Sequence, residues 1–268
     1  PGQDLLLQGI TGLAKNTGRF SYPPTQLGAG IADQLGSLNM VIGILSALHY
    51  RNRTGRGQEI KVDLMSALLQ HQLQEFVAVL NLDQEFERPE SGVGHPGSGA
   101  PFGIYKTKDD YITIAVASLE DLSEILNDED LKKYSEGPSG AMGSDLQIKK
   151  RDEIFHYIEN LTKNFTTEYL DKKLSEKGCW SAPLKTHKQV YDDPQVKHMN
   201  MFTTFHHNNY GEVKTVSPAV KLSETPTKVS RPVPMIGEHG FEILKEFGYS
   251  DEEINNFITN DIMSIEKS

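Results

Sequence analysis

The stretch that most constrains the fold is residues 28–64. Gly28-Ala-Gly-Ile-Ala-Asp33 opens an apolar run over residues 34–54, Thr54-Gly-Arg-Gly-Gln58 closes it, and Glu59 to Leu64 alternates. Inside the run, Leu35, Leu38, Ile42, Leu45 and Leu48 recur at helical spacing, and Val41 and Ile44 widen that face. Gly36 and Gly43 lie two turns apart and share one side, which predicts close packing of a neighbouring element there. Gly55 and Gly57 stand at or beyond the C-terminal cap. Ile60, Val62 and Leu64 alternate as in a strand, and residues 65–82 return to a helical period. Helix, strand and helix in succession point to an α/β fold built on a doubly wound, Rossmann-like parallel sheet.

The rest of the chain reads around that unit. Residues 4–15 carry Leu5, Leu6, Ile10 and Leu13 at helical spacing, and residues 16–27 hold Gly18, Pro23 and Pro24 in a loop. Composition shifts at residues 83–100 into Ser91-Gly-Val-Gly94-His95-Pro-Gly97-Ser-Gly99. Residues 103–106 and 111–117 predict a hairpin, followed by helical patterns at 119–127, 146–165 and 167–177 and a short strand at 179–184. A helix with a turn at Asp192-Asp-Pro194, a second hairpin at 202–216, four prolines across 218–234 and two closing helices complete the chain. The expected division is 1–85 for part of a large domain and 86–100 for a linker and glycine-rich loop. Residues 101–187 would form an inserted small α+β domain, and 188–268 a return to the large one.

Composition removes several classes of function. The 268 residues carry a formal net charge of −10, against the basic surface that nucleic-acid binding requires. One cysteine, Cys179, excludes an internal disulfide, which suits a reducing compartment. No signal sequence is recognisable, and the most apolar stretch is interrupted by Gly36, Ser37, Asn39, Gly43 and Ser46, so no membrane partner is predicted and the cytoplasm is the expected location. The nine histidines have no partners at metal-ligand spacing, so no metal is expected.

Asp33 is the carboxylate to watch. A side chain in the first turn of a helix meets unpaired N–H groups and the positive end of the dipole, which favours its ionised form. On spacing alone, a helix-capping role competes with a nucleophilic one. Gly28-Ala-Gly30 is half of a dinucleotide fingerprint and lacks the rest, so NAD is not expected. Backbone access to Asp33 is the better use of those glycines. Arg51, Arg53 and Arg56 read as solvated charge at the far end of the helix.

The ordered set of Pro1-Gly-Gln3-Asp4, the 28–64 unit, Gly103-Ile-Tyr-Lys-Thr-Lys108, Asp192-Asp-Pro-Gln-Val196 and Gly237-Glu-His239 resembles the family III, formyl-CoA-transferase-like (CaiB-BaiF-like) CoA-transferases over nearly the whole chain. The resemblance implies CoA transfer from an acyl-CoA thioester to a carboxylic acid, with coenzyme A as substrate and Asp33 as nucleophile. It also implies an interlocked homodimer, and a chain that lacks the family's N-terminal portion, that portion being either a separate polypeptide that completes the domain or a segment lost or omitted. Substrate or CoA contacts are implied for Gln3, Gly94, His95, Gly97, Gly99 and Leu64. The racemases of the same fold place a histidine where Gln3 stands, and an amide cannot move that proton. An acyl-CoA racemase and a non-catalytic half of a two-chain CoA-binding complex are the alternative readings. The transferase reading requires the Asp33 carboxylate to be accessible and to face a cavity.

Overall fold

The computed structural model describes residues 2–82, 85–90, 95, 97–135, 144–227 and 232–264. Their contacts form two compact units, Pro1–Leu184 and Lys185–Ser268.

The first unit begins with a layer of helices: α1 (Asp4–Ile10), α2 (Leu13–Asn16), α3 (Ile31–Thr54), α4 (Leu64–His71) and α5 (Leu73–Leu82). The predicted helix at 4–15 is two helices because Gly12 adopts the left-handed conformation, φ 86°, between them. The predicted helix at 65–82 also breaks, at Gln72. Its buried amide donates to Thr11 O (3.2 Å) and Leu68 O (3.3 Å), tying the break back to α1 and α4. Leu7, Ala32 and Leu68 form a small core, with Leu13, Ile31, Leu35 and Leu64 packed around it.

Residues 60–64 do not form the expected strand. Residues 60–63 have no regular structure and Leu64 already belongs to α4; burial alternates along them, and they have no ladder partner among the described residues. A strand needs a hydrogen-bonded neighbour, and α3 offers only side chains. The segment is seated on the helix instead. A Cβ built on Gly36 would stand 2.5 Å from Leu64 Cδ2, and one on Gly43 2.8 Å from Ile60 Cγ2. The close packing predicted for this glycine pair is therefore made by the segment leading into α4 and by the first residue of that helix.

The face of α3 away from that contact is open. Leu38, Val41, Ile42 and Leu45 are exposed, as are Leu5, Leu6 and Ile10 on α1 and Leu73, Val77 and Leu80 on α5. By length and composition alone α3 is apolar enough to cross a membrane, a test that a core helix of a soluble protein also passes.

The second layer of this unit is an antiparallel sheet, β1 (Gly103–Lys106), β2 (Tyr111–Val116) and β3 (Trp180–Pro183), in the order β1-β2-β3. The hairpin pairs Gly103 with Ile114 and Lys106 with Tyr111, as the alternating pattern requires. The chain between β2 and β3 forms α6 (Leu119–Leu126), a 3-10 helix (Glu129–Tyr134), α7 (Asp145–Lys149), α8 (Arg151–Thr162) and α9 (Thr167–Glu176). The predicted helix at 146–165 thus divides at Lys150. Tyr105 stacks on Phe155 at 4.5 Å, and Ile112, Ile114, Leu122, Ile158, Leu170 and Leu174 close the core around them. The hairpin turn is tied to the start of α9: Asp109 Oδ1 accepts from Thr167 N (2.8 Å) and Thr167 Oγ1 (2.8 Å).

The second unit holds α10 (His187–Asp192), α11 (Pro194–His198), the hairpin β4 (Phe202–His207) with β5 (Gly211–Val216), α12 (Gly240–Glu246) and α13 (Asp251–Thr259). The predicted turn at Asp192-Asp-Pro194 is where α10 ends and α11 begins, and Asp193 caps α11 ahead of Pro194. Ser250 and Glu253 form a capping box at α13. Among the described residues every strand pairing is antiparallel, so the expected parallel sheet has no ladder here.

Two stability predictions follow from these contacts. Helix propensity alone would favour Gly43→Ala by about 1 kcal/mol. The approach of Ile60 reverses the sign, and denaturant unfolding should show a loss of about 1–3 kcal/mol. Gly9→Ala, with open space at its Cβ, should gain roughly 0.5–1 kcal/mol as the matched control. A Gly43→Ala protein as stable as the unmodified one contradicts the seating of residues 60–64.

The second concerns acid. The backbone N–H of Thr167, then its hydroxyl, hold the Asp109 carboxyl below its ordinary range, outweighing the opposing effect of burial. A depressed folded-state pKa gives stability that is complete above the unfolded value, about 3.9. It is lost as pH falls through the lower folded value. Asp109→Asn should therefore be less stable than the parent at pH 6, and the gap should narrow towards pH 2. A gap independent of pH excludes a charge-based role.

Candidate active site

The turn that opens α3 is built by its backbone. Ile31 N–H donates to Ala29 O at 2.9 Å, and Gly30 has φ −75° and ψ 71°, an inverse γ-turn. The chain then enters the helix with Gly30 at the N-cap, which makes Asp33 the third helical residue. Gly28, Ala29 and Gly30 are exposed, and so is Asp33. The Asp33 carboxylate lies back over Gly30, with Oδ2 3.7 Å from where a Cβ would stand. From the other side, Ala32 N–H is held by Asp4 Oδ1 of α1 at 2.7 Å. Among the described residues no side chain hydrogen-bonds or ion-pairs with the Asp33 carboxylate.

A cavity of about 520 Å³ opens beside it, lined by Asp33, Gly36, Ser37, Met40, Val62, Asp63 and Leu64. The requirement for an accessible carboxylate facing a cavity is met. Leu64 and Asp33 come together here, as two of the predicted site residues. Asp63 is a site residue the sequence reading did not single out. Its signal was an Asp immediately before a helical apolar run, with Ser66 three residues on. It caps α4, accepting from Ser66 N (2.8 Å) and Ser66 Oγ (2.7 Å). Those bonds, the backbone one first, hold its carboxyl below the ordinary range. Of the two carboxylates in the cavity, Asp63 is engaged in a cap and Asp33 is not. An open anion beside an apolar wall is suited to attack on an acyl carbon.

The other predicted residues fall elsewhere. Gln3 is the N-cap of α1, its Oε1 accepting from Leu5 N at 3.0 Å. His95 and Gly97 belong to a separate cluster. His95 Nδ1 accepts the N–H of Gly97 at 3.0 Å, and Nε2 meets Glu75 Oε1 of α5 at 2.9 Å. With Nδ1 used as an acceptor, the proton sits on Nε2 and is donated to Glu75. Burial pushes the Glu75 carboxyl up, but the bond from His95 leads a larger opposing set and the net shift is downward. Gly99 is buried, and a Cβ on it would stand 2.8 Å from Gln147 C and 2.9 Å from Ile148 N. Only glycine fits against that backbone. None of His95, Gly97 and Gly99 lines the Asp33 cavity, and Gly94 lies outside the described residues. Arg51 is 18 residues along α3 from Asp33, about 27 Å at 1.5 Å per residue, too far to touch the site. Among the described residues no group of three or more His, Cys, Asp or Glu side chains gathers in a way that would hold a metal.

Comparison with known proteins identifies the family. A profile described as CoA-transferase family III matches residues 1–240. Human succinyl-CoA:glutarate CoA-transferase is 28% identical over 265 residues, covering 96% of this chain and 58% of its own length. Formyl-CoA:oxalate CoA-transferase of Streptomyces coelicolor is 28% identical, covering 94% and 64%. Succinyl-CoA:mesaconate CoA-transferase of Haloarcula hispanica is 27% identical, covering 92% and 61%. The crystal structure of a CAIB/BAIF family protein from Brucella suis superposes with a TM-score of 0.74 at 27% identity, covering 91% of this chain and 62% of that one. The chain thus spans about three-fifths of the length of the relatives it matches. It belongs to the CoA-transferase family III.

Proposed function

We propose that this chain carries the nucleophile of a CoA-transferase that moves CoA from an acyl-CoA thioester to a carboxylic acid. The observation that carries the reading is the Asp33 carboxylate: exposed, without a partner among the described residues, in the first turn of α3 and beside a cavity walled by Met40, Val62 and Leu64. Membership of family III and the transferase names of the relatives support it.

In this reading an Asp33 oxygen attacks the thioester carbonyl. The tetrahedral adduct collapses by breaking the C–S bond, which gives a mixed anhydride and free CoA thiolate. The thiolate then attacks the aspartyl carbon of the anhydride and releases the donor acid as its carboxylate. The aspartyl-CoA thioester left behind is attacked by the acceptor carboxylate, and the thiolate departs again. Its attack on the acceptor's acyl carbon yields the new acyl-CoA and restores Asp33. No net proton is consumed, so the chain needs no general acid for the exchange itself. Splitting one transfer into four acyl substitutions keeps each barrier low. Ser37 and the half-buried side chains of Val62 and Leu64 border the path a pantetheine arm would take. Gln3, engaged as a helix cap, gives no support to the racemase reading.

The exposed apolar faces of α1, α3 and α5 support a second element of the proposal. Further polypeptide, from a second copy or a separate chain, covers this layer and completes a Rossmann-like sheet in an interlocked dimer.

The test is direct. Asp33→Ala should abolish exchange of labelled CoA between an acyl-CoA and a carboxylate, and Asp33→Asn should reduce it at least ~10³-fold, in the range seen when a covalent nucleophile is removed. Hydroxylamine added during turnover should convert Asp33 to its hydroxamate in a peptide identified by mass spectrometry. Because Asp33 is exposed, stability should fall by no more than the roughly 0.3–1 kcal/mol that a first-turn carboxylate contributes. A fully active Asp33→Ala protein ends the proposal.

A further inference from the structure

The turn that presents Asp33 is gripped from outside by two side chains of α1. Asp4 and Gln8 stand one helical turn apart and face the same way. Asp4 Oδ2 accepts from Gln8 Nε2 at 2.6 Å. Asp4 Oδ1 accepts the N–H of Ala32 at 2.7 Å. Gln8 Oε1 accepts the N–H of Leu27 at 2.9 Å. Leu27 is the residue before the Gly28-Ala-Gly30 turn, and Ala32 is the residue before Asp33.

The clamp therefore holds the chain on both sides of the turn. It is built rather than incidental. Gln8 is 1% exposed, and Ala32 is fully buried against Leu7 and Leu68. Each functional atom of the two side chains has a use, and the uses are complementary. The amide oxygen must face Leu27, so the amide nitrogen must face Asp4. The carboxylate supplies the acceptors that both N–H groups need. A charged acceptor makes the bond to Ala32 stronger than a neutral one. Residues 28–30 have no side chain longer than a methyl group and are exposed. Their own geometry is set locally by the Ile31 to Ala29 hydrogen bond, while their position on the body is set by this clamp.

We infer that Asp4 and Gln8 are positioning residues for Asp33. They touch no reacting atom. They fix where the first turn of α3 sits relative to the cavity wall made by Val62 and Leu64, and hence the line along which Asp33 meets an acyl carbon. The inference rests on the reading of Asp33 as nucleophile. Displacing a nucleophile by about 1 Å costs on the order of 100-fold in rate.

The test is an exchange of the two functional groups. Asp4→Asn sets an amide N–H against Gln8 Nε2, or else withdraws the acceptor from Ala32. Gln8→Glu sets two carboxylates against one another in a buried site. The double variant restores every bond with the polarity reversed: the amide at position 4 donates to the carboxylate at position 8, and both backbone N–H groups keep an oxygen. Each single variant should lower kcat, normalised to the folded fraction, by about 10- to 100-fold, with KM for acyl-CoA changed little. The double variant should recover most of that loss. Amide hydrogen exchange at Leu27 and Ala32 should quicken in the singles and slow again in the double. Singles with unchanged kcat, or a double no better than the worse single, overturn the inference, and the second comparison holds even where a single variant folds poorly. The exchange measurement separates this failure from failure of the nucleophile reading. If Asp33→Ala remains active while Leu27 and Ala32 respond as expected, the clamp stands and the role of Asp33 falls.

Discussion

The absence of two side chains decides the geometry of this molecule's cavity. At positions 36 and 43 α3 has bare backbone, and Leu64 and Ile60 of the segment that leads into α4 lie directly against it. Leu64 and Ile60 occupy the space that two methyl groups would claim. Everything lining the cavity opposite Asp33 comes from that contact: Val62 and Asp63 lie within the seated segment, and Leu64 begins α4. A bulkier residue at Gly36 would push Leu64, part of the cavity wall, outward.

The two layers of the first unit differ in how they meet water. The antiparallel sheet and its helices enclose Tyr105, Phe155, Ile112, Ile158 and Leu174 almost completely. The helical layer buries only a small cluster around Leu7, Ala32 and Leu68, and turns leucines and isoleucines of α1, α3 and α5 outward. Burying apolar surface contributes about 25 cal/mol per Å². A patch of this extent on an isolated chain is a penalty that a contacting surface removes. The Asp33 carboxylate and this open face belong to the same helix, so a surface that covered the face would lie close to the cavity.

Much of this was legible in the sequence, for physical reasons that can be named. The start and end of α3 were readable because glycine and a long apolar period have few other uses. Both hairpins were readable because strand alternation and turn residues are local. The accessibility of Asp33 followed from the small residues in front of it. Helix breaks at Gln72 and Lys150 were not readable, since the periodic pattern runs through both. Gln72 is turned aside by bonds to Thr11, 61 residues away. Residues 60–64 alternate as a strand does, but alternation reports which faces are buried, and α3 buries one face as a sheet would. The Asp4–Gln8 pair was invisible for a similar reason. Its partners Leu27 and Ala32 are backbone groups, and no sequence pattern marks a backbone N–H as the target of a distant side chain. The close approach of the α7 backbone to Gly99, which leaves no room for a Cβ, is likewise a contact that no sequence pattern marks.

The third strand of the antiparallel sheet has a topological consequence. β1 and β2 are neighbours in sequence and close on themselves, whereas β3 reaches β2 only after α6, α7, α8 and α9 have been laid down. Its pairing with residues 112–116 cinches that whole excursion like a drawstring. The β1–β2 hairpin closes a short loop, whereas pairing by residues 180–183 closes a long one and carries the larger entropic cost. Release of this one short strand would open the whole enclosed loop.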